Sequence, residues 1–201
     1  MGATFLFIGL GYIFGSLLFA ERVGKLITGK SIVALSDDKN PGTYNAFKYG
    51  GFACGCLTLA GDLLKGFLPV YLYSHLISET GIGLSLVMAA PIFGHMFPIF
   101  HKFKGGKGIA VSFGVLLGLL PQWRPLAVLA VLYVFFSCGL KIKSHTDRTI
   151  VTYLGFSMIL LLITNEIDTS MMIGGWLISG LVTFRHLTCA EYKRKKVKEI
   201  L

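Results

Sequence analysis

Long apolar runs separated by short polar connections dominate this sequence. The runs fall near 3–20, 52–73, 81–100, 109–121, 125–140, 150–164 and 171–184. A helix needs about 20 mostly apolar residues to cross the hydrocarbon core of a bilayer, and most of these runs approach that length. Because the fourth run is short, we expect it to be tilted or to pair tightly with its neighbour. The pattern predicts an all-α polytopic membrane protein with seven transmembrane helices.

The distribution of basic residues along the connections predicts the orientation of these helices. Lysine and arginine fill every second connection and the C-terminal tail, which together hold all but two of the 19 basic residues. The exceptions are Lys65, inside an apolar run, and Arg124, in a turn on the opposite side. Because cytoplasmic connections are enriched in these residues, the alternation predicts an outside N-terminus and a cytoplasmic C-terminus. We interpret the apolar N-terminus, which lacks a basic leader, as an uncleaved first span.

Composition favours a membrane environment over a soluble one. The 201 residues are 54% hydrophobic and 14% charged, whereas soluble domains carry about 25% charged residues. The net charge of +9 does not indicate nucleic acid, because the basic residues flank apolar runs, where anionic lipid headgroups attract them. The length predicts a single membrane domain over 1–201. The four cysteines lack metal-ligand spacing, so we interpret them as packing residues and expect no metal or cofactor.

The most distinctive polar segment reads Phe-Lys-Gly-Gly-Lys-Gly at 103–108, and it follows Gly-His-Met-Phe-Pro at 94–98. Its glycines let the backbone approach an anion closely, its lysines add positive charge, and an apolar helix is predicted to begin at Ile109. These parts suit a phosphate group. The candidate binding residues are Lys104, Gly105, Gly106, Lys107 and, from the preceding segment, His95. The alternative interpretation is a basic, flexible cytoplasmic turn.

Two other polar segments are predicted to reach the same inner face. The first connection contains Asn-Pro-Gly-Thr-Tyr-Asn at 40–45 and Lys48, and it runs about thirty residues without an obvious helix of its own, which is typical of functional loops. Arg185 and His186 close the last span at the cytoplasmic boundary. Together with 103–108, these segments predict a site for an anionic cytoplasmic substrate.

Asp62 and Lys65 lie inside an apolar run at a spacing that places them on one helical face. Ionisable residues within a span are costly and usually pair with one another inside the bundle. The pattern leaves two interpretations open: an ion pair that fixes helix packing, or a pair that supports a functional site.

In the order and spacing of these motifs, the chain resembles the acyl-phosphate-dependent glycerol-3-phosphate acyltransferases of bacterial membranes. The resemblance is carried by Gly15-Ser16, Asn40-x-Gly42-x-x-Asn45, Asp62-x-x-Lys65-Gly66, the segment from Gly94 to Gly108, and Arg185-His186. It implies a seven-helix enzyme of the cell membrane with its active site facing the cytoplasm. Such enzymes move a fatty acyl group from acyl phosphate to the 1-hydroxyl of glycerol 3-phosphate and yield lysophosphatidic acid. Because phosphate is a good leaving group, the protein must mainly supply positioning and charge stabilisation.

The resemblance also implies roles for individual residues, within a polar pocket that holds the phosphate and orients glycerol phosphate. The expected catalytic residues are Lys107, His186 and Asn45. The expected substrate-binding residues are Asn40, Gly42, Lys48, Lys104, Gly105, Gly106 and His95. Asp62 and Lys65 are expected to support the site.

Three positions depart from the pattern of that family. Asp38-Lys39 stands in place of Ser-Gly, Lys48 in place of arginine, and Cys189 in place of asparagine. A carboxylate at position 38 would repel phosphate unless Lys39 or Lys48 neutralises it. A lysine lacks the bidentate phosphate contact of arginine, and a cysteine lacks the hydrogen bonds of an amide.

Two alternatives to an active acyltransferase remain open at this point. One is a small transporter or channel for phosphorylated or anionic solutes, although the inverted repeats common in transporters are not visible in the sequence. The other is a weakly active paralogue that binds lipid or phosphate, which the three departures favour.

Overall fold

A computed structural model describes residues 1–77, 81–140 and 142–200, and for 190–200 it describes the backbone alone. All regular elements in these ranges are helical, in agreement with the predicted all-α class. The helices are α1 (Gly2–Gly15), α2 (Phe19–Thr28), α3 (Ile32–Leu35), α4 (Thr43–Leu76), α5 (Ile82–Met96), α6 (Ile109–Leu117), α7 (Arg124–Val134), α8 (His145–Leu162) and α9 (Thr169–Ile200). Short 3-10 turns cover Ile99–His101 and Thr164–Glu166, and a π turn covers Phe135–Gly139.

Each apolar run predicted from the sequence overlaps one of these helices. Within the described residues, three helical stretches are long and apolar enough to cross a membrane: Gly2–Thr28, Thr43–Leu76 and Ile82–His101. A shorter apolar stretch covers Arg124–Gly139. The long α4 begins before its apolar run and bends at Gly51, whose backbone has a φ of 82° that other residues rarely adopt.

The prediction that the first connection has no helix of its own is wrong. It contains the ten-residue α2 and the four-residue α3, and each of them alone is too short to cross a bilayer. The Glu21 carboxylate in α2 accepts hydrogen bonds from the Ser31 hydroxyl at 2.9 Å and from the Val33 N–H at 3.2 Å. These bonds fix α3 against α2, and Ile32 packs into a small buried cluster beneath them. The connection is therefore a folded cap over one end of the bundle.

Large apolar side chains lie on the outer surface of the bundle as well as in its core. Large apolar side chains such as Phe5, Met158 and Leu162 point outward and are highly exposed. Polar side chains such as Ser85 and Thr152 are buried between helices. This arrangement suits a hydrocarbon environment, in which polar groups must find partners inside the bundle.

Glycines bring α4 and α6 unusually close together. A Cβ atom at Gly66 would collide with the Val111 carbonyl oxygen of α6. A Cβ atom at Gly114 of α6 would likewise collide with the backbone of Leu63. Close backbone approach at small residues is how helices associate in lipid. Through this contact the short fourth run packs tightly along α4, the helix of the second run.

Candidate active site

A cavity of about 700 Å³ opens at the end of the bundle that carries the folded cap. Its polar wall comes from the segment before α4, the start of α6 and the first turn of α8, and includes Asp38, Asn40, Gly42, Thr43, Lys107 and His145. Its apolar wall comes from α4, α6 and α7 and includes Leu59, Ile109, Ala110, Phe113 and Tyr133. The cavity is therefore amphipathic, with charged groups on one side and a hydrocarbon-like surface on the other.

The glycine–lysine turn at 103–108 is held by two helices. The Gly106 N–H donates to the His95 carbonyl oxygen of α5 at 2.9 Å. From α9, the Arg185 guanidinium donates to the Gly105 carbonyl oxygen at 2.9 Å and to the Gly106 carbonyl oxygen at 3.3 Å. Glycine is required here because a Cβ at Gly105 would overlap the His95 carbonyl and one at Gly106 would overlap the His95 ring. The turn is thus rigid where it meets Lys107.

Gly105 and Gly106 do not line the cavity, and the Gly106 N–H is directed at α5. Lys107 and Gly108 do line it. Gly108 has a φ of 84° and precedes the first residue of α6, so the chain turns sharply there. The group that this turn presents to the cavity is therefore the Lys107 ammonium.

Lys107 is paired with Asp38 across the polar wall. The Lys107 Nζ lies 2.9 Å from Asp38 Oδ2, and the amide of Asn45 donates to Asp38 Oδ1 at 2.8 Å. The same Asn45 amide donates to the Asn40 carbonyl oxygen at 2.8 Å. Burial alone would raise the pKa of Asp38, but the hydrogen bonds from Lys107 and Asn45 lower that pKa below its usual value. Asp38 is therefore a charged carboxylate at neutral pH.

The cation that neutralises Asp38 is Lys107, and neither of the two lysines expected from the sequence does so. Lys39 donates to the Ala34 carbonyl oxygen at 2.8 Å. Lys48 forms an exposed ion pair with Asp37 at 3.2 Å. Because Lys48 points away along the outer face of α4, it does not line the cavity. Lys104 is exposed and is also outside the wall.

Asp62 and Lys65 form a buried ion pair at the back of the cavity, whose wall includes Asp62 but not Lys65. The Lys65 Nζ lies 2.8 Å from Asp62 Oδ1, and both side chains are at most 2% exposed. Lys65 also donates to the Leu17 carbonyl oxygen at 2.7 Å and lies 2.8 Å from His95 Nδ1. One ammonium therefore ties α4 to α5 and to the end of α1. On the cavity side, the Thr43 hydroxyl donates to Asp62 Oδ2 at 3.3 Å.

His95 and His186 differ in their access to the cavity. His95 lines it, and its Nδ1 lies 2.8 Å from the Lys65 ammonium. His186 is fully buried, its Nδ1 bonds to the Val182 carbonyl oxygen at 2.9 Å, and it is outside the cavity wall. The His186 ring stacks on His145 with centroids 6.0 Å apart, and His145 does line the cavity. His186 therefore has no direct contact with the cavity and is separated from it by His145.

Several cavity residues were not singled out from the sequence. The first turn of α8 contributes His145, Thr146 and Arg148. These residues lie in a basic connection, where they are indistinguishable from ordinary cytoplasmic charge. A sequence signal does exist, because Ser144 caps α8 by accepting from the Asp147 N–H at 3.3 Å, and a capped helix start can be recognised. The sequence signal does not show that the start of α8 faces the cavity, because that depends on how the helices pack.

The three polar segments expected to form a site meet at one end of the bundle. The Lys107–Asp38 pair joins 103–108 to the cap, and the Arg185 hydrogen bonds join 103–108 to α9. Among the residues that the structure describes, no group of three or more His, Cys, Asp or Glu could hold a metal ion. What the site offers chemically is positive charge, amide hydrogen bonds and an adjoining apolar surface, a combination that suits a phosphorylated molecule with a fatty chain.

Comparisons with known proteins place the chain among membrane acyltransferases. The model of the glycerol-3-phosphate acyltransferase family matches residues 5–194. The glycerol-3-phosphate acyltransferase of Chromobacterium violaceum is 40% identical over 144 residues, which are 70% of this chain and 68% of that protein. The corresponding protein of Endomicrobium trichonymphae is 32% identical over 189 residues, 91% of this chain and 88% of that protein.

Solved structures show the same fold. The chain is similar to the crystal structure of PlsY (YgiH), an integral membrane glycerol 3-phosphate acyltransferase, in its glycerol 3-phosphate form. The TM-score is 0.78 at 23% identity, and the match covers 98% of this chain and 91% of that chain. The lysophosphatidic acid form of the same protein gives a TM-score of 0.76 at 22% identity.

Proposed function

We propose that this chain, which belongs to the glycerol-3-phosphate acyltransferase family, uses the amphipathic cavity to transfer a fatty acyl group from acyl phosphate to the 1-hydroxyl of glycerol 3-phosphate. The product is lysophosphatidic acid, a precursor of membrane phospholipids. The observation that carries the proposal is the division of the cavity wall into a polar side, which includes Lys107 and Arg148, and an apolar side. Both substrates carry phosphate, and one also carries a hydrocarbon chain, so the two walls match the two chemistries.

The reaction needs little covalent help from the protein. The 1-hydroxyl oxygen of glycerol 3-phosphate attacks the acyl carbonyl carbon, the bond from that carbon to the phosphate oxygen breaks, and inorganic phosphate leaves with the hydroxyl proton. An ester forms and no oxidant or reductant is consumed. Lys107 stabilises the negative charge that develops on the departing phosphate, and the walls align the two reactants.

The remaining site residues hold this geometry. Asn45 positions Asp38 and the backbone of Asn40, while Gly42 keeps the wall open beside them. His95 forms part of the wall from α5, whereas His186 lies behind the wall and orients glycerol 3-phosphate through the stacked His145. The exposed lysines Lys48 and Lys104 attract anions to the cavity entrance. Gly105 and Gly106 keep the turn before Lys107 rigid. The Asp62–Lys65 pair supports the wall from behind.

The chain is a membrane protein, and we assign it seven spans in the inner (plasma) membrane, with the N-terminus outside and the cavity facing the cytoplasm. The alternation of basic and uncharged connections supports this orientation. A second support is the ion pair between Arg124 and Glu166 at 2.8 Å, which joins the two connections assigned to the outer face. The Lys107–Asp38 pair joins two connections assigned to the inner face.

The proposal is tested with purified protein in detergent, supplied with palmitoyl phosphate and glycerol 3-phosphate, with the product identified by mass. We expect lysophosphatidic acid and an equal amount of inorganic phosphate. If neither appears, and labelled glycerol 3-phosphate instead enters proteoliposomes without any acyl donor, the protein is a transporter and the proposed reaction is wrong.

A further inference from the structure

The first turn of α8 presents a cation to the cavity that the sequence motifs do not include. α8 begins at His145 after the Ser144 cap, and His145, Thr146 and Arg148 line the cavity. Asp147, the acidic residue of the same turn, is exposed and does not line the cavity. The turn therefore directs its basic side chain inward and its acidic side chain outward.

The cavity wall holds two carboxylates and two cations, and one of these cations has no carboxylate partner in the described part of the chain. The charged residues of the wall are Asp38, Asp62, Lys107 and Arg148. Each carboxylate is already in an ion pair, Asp62 with Lys65 and Asp38 with Lys107. Within the described ranges, Arg148 has no carboxylate within ion-pair distance. Arg148 therefore supplies the positive charge of the wall that no protein carboxylate offsets.

The environment of the Arg148 side chain points to a ligand. Its Nε atom is buried and has no hydrogen-bond partner among the residues that the structure describes. A buried donor without a partner costs free energy, and the cost is larger when the group is charged. An anion in the cavity would satisfy both the hydrogen-bonding capacity and the charge of this guanidinium.

Arginine is also the side chain best matched to a phosphate. Its planar guanidinium donates two parallel hydrogen bonds to two oxygens of one anion, which an ammonium cannot do. Lys48, the residue expected from the sequence to contact phosphate, is paired with Asp37 outside the cavity. Lys107 is paired with Asp38 inside it. Neither lysine replaces the bidentate contact that Arg148 can provide.

We propose that Arg148 is a phosphate-binding residue of this site and the main cationic contact for the phosphate group of one of the two substrates. This inference rests on the proposed function, since it adds a binding residue to the same cavity. The ligand chemistry is a phosphate monoester or acyl phosphate dianion. Arg148 acts by binding, so its removal raises KM more than it lowers kcat.

The test compares Arg148→Met, which removes the charge and keeps the length, with Arg148→Lys, which keeps the charge and removes the planar fork. Lys143→Met is the matched control, because Lys143 is an exposed cation of the same connection and is outside the cavity wall. KM is measured separately for glycerol 3-phosphate and for palmitoyl phosphate, and the substrate whose KM changes identifies the phosphate that Arg148 contacts. Binding without turnover is measured as the rise in melting temperature caused by glycerol 3-phosphate or by inorganic phosphate.

For Arg148→Met we expect one KM to rise about 10- to 100-fold, and for Arg148→Lys a smaller rise of about 3- to 10-fold, as for loss of a charged hydrogen bond. We expect kcat to change by about threefold or less, and Lys143→Met to behave like the wild type. If Arg148→Met is folded and keeps wild-type KM values and the wild-type ligand-induced rise in melting temperature, the inference is wrong. The same conclusion follows if Lys143→Met loses as much affinity.

Three outcomes separate this inference from the proposed function. Acyl transfer by the wild type with unchanged KM values in Arg148→Met would overturn the role of Arg148 alone. Suppose that the wild type catalyses no acyl transfer but is stabilised by the ligand, and that Arg148→Met loses this stabilisation. The role of Arg148 in binding would then be supported, and the proposed reaction would be wrong. If Arg148→Met fails to fold, the inference is tested with Arg148→Lys instead. Wild-type KM values in Arg148→Lys would count against a bidentate contact.

Discussion

The Lys107 ammonium lies 2.9 Å from the Asp38 carboxylate, so this cation of the cavity wall is already bound to an anion of the protein. The two residues are far apart in sequence and meet across the polar wall of the cavity. Asp38 also accepts a hydrogen bond from Asn45, which fixes the carboxylate in this position. Phosphate binding at Lys107 must therefore compete with Asp38, and the first prediction follows from this competition.

Replacing Asp38 with asparagine should strengthen substrate binding. The side chain keeps its shape and its acceptor for Asn45, but it no longer attracts Lys107 or repels phosphate. We expect the KM for one or both substrates to fall about five- to tenfold, because loss of a charged contact of this kind is worth about 1–1.5 kcal/mol. Steady-state kinetics on purified protein measures the change.

The matched control for that prediction is Asp37→Asn. Asp37 is the neighbouring carboxylate, but it is exposed and pairs with Lys48 and the Tyr49 hydroxyl outside the cavity. We expect the KM values of Asp37→Asn to stay within about twofold of those of the wild type, because an exposed ion pair contributes little. A rise in KM on Asp38→Asn would show that Asp38 positions Lys107 for catalysis, and the competition would be refuted.

Replacing Lys107 with glutamine should reduce acyl transfer strongly. Removal of one preorganised charge contact to a developing anion lowers kcat by about 10²–10³-fold. Lys102→Gln, an exposed lysine of the same connection, should retain activity within about threefold. Initial rates of phosphate release test both variants. Comparable losses in the two would mean that overall positive charge, rather than the position of Lys107, governs the reaction.

Breaking the buried Asp62–Lys65 pair should destabilise the protein. Asp62→Asn alone leaves Lys65 without its carboxylate, and we expect a loss of about 3–5 kcal/mol in the free energy of unfolding. The double variant Asp62→Asn/Lys65→Met should recover much of this loss, since no buried charge is left unpaired. Thermal unfolding in detergent measures the difference.

An exposed ion pair provides the contrast for that measurement. Arg124 and Glu166 form a pair in which the side chains are 41% and 54% exposed. Arg124→Gln should cost less than about 1 kcal/mol. If Asp62→Asn and Arg124→Gln cost the same, the buried Asp62–Lys65 pair does not stabilise the bundle more than an exposed pair does, contrary to this account.

The charge state of Asp38 gives a prediction about pH. Because its pKa is lowered in the folded protein, Asp38 contributes stability above the pKa of an unfolded aspartate, about 3.9. That contribution is lost as pH falls through the folded pKa. The difference in melting temperature between the wild type and Asp38→Asn should therefore be constant above about pH 5 and should shrink in more acidic buffer. A difference that changes between pH 6 and 8 would contradict a lowered pKa.

The hydrophobic pattern of the sequence predicts the helices well but not their ends. Each apolar run corresponds to a helix because burial in lipid depends on residue type averaged over many positions. The cap is different. α2 carries Arg22 and Lys25 beside its apolar residues, and it is stable because Glu21 accepts hydrogen bonds from α3. Such tertiary contacts have no periodic signature in the sequence.

The candidate site was predictable in its segments but not in its pairings. Motif residues such as Lys107 and His95 line the cavity, and Arg185 contacts the glycine turn. The partner of Asp38 was expected among the nearby lysines, yet the helical direction of α4 turns Lys48 outward and the rigid turn brings Lys107 inward. Arg148 was missed for a related reason, since the inward side of the first turn of α8 is set by helix packing rather than by any local motif.

Cys189 occupies a position where the related enzymes are expected to have an asparagine. Its thiol is free and partly buried in α9, three residues after His186. It is not part of the cavity wall. Any hydrogen bond that an amide would supply there must come from another residue.

The most direct test of the account is a structure of the protein with glycerol 3-phosphate bound. We predict that the phosphate lies in the cavity within hydrogen-bond distance of Lys107 or Arg148, and that Lys107 has moved more than 4 Å from Asp38 wherever it contacts the ligand. A phosphate bound outside the cavity would contradict the account, as would one bound inside it that touches neither cation.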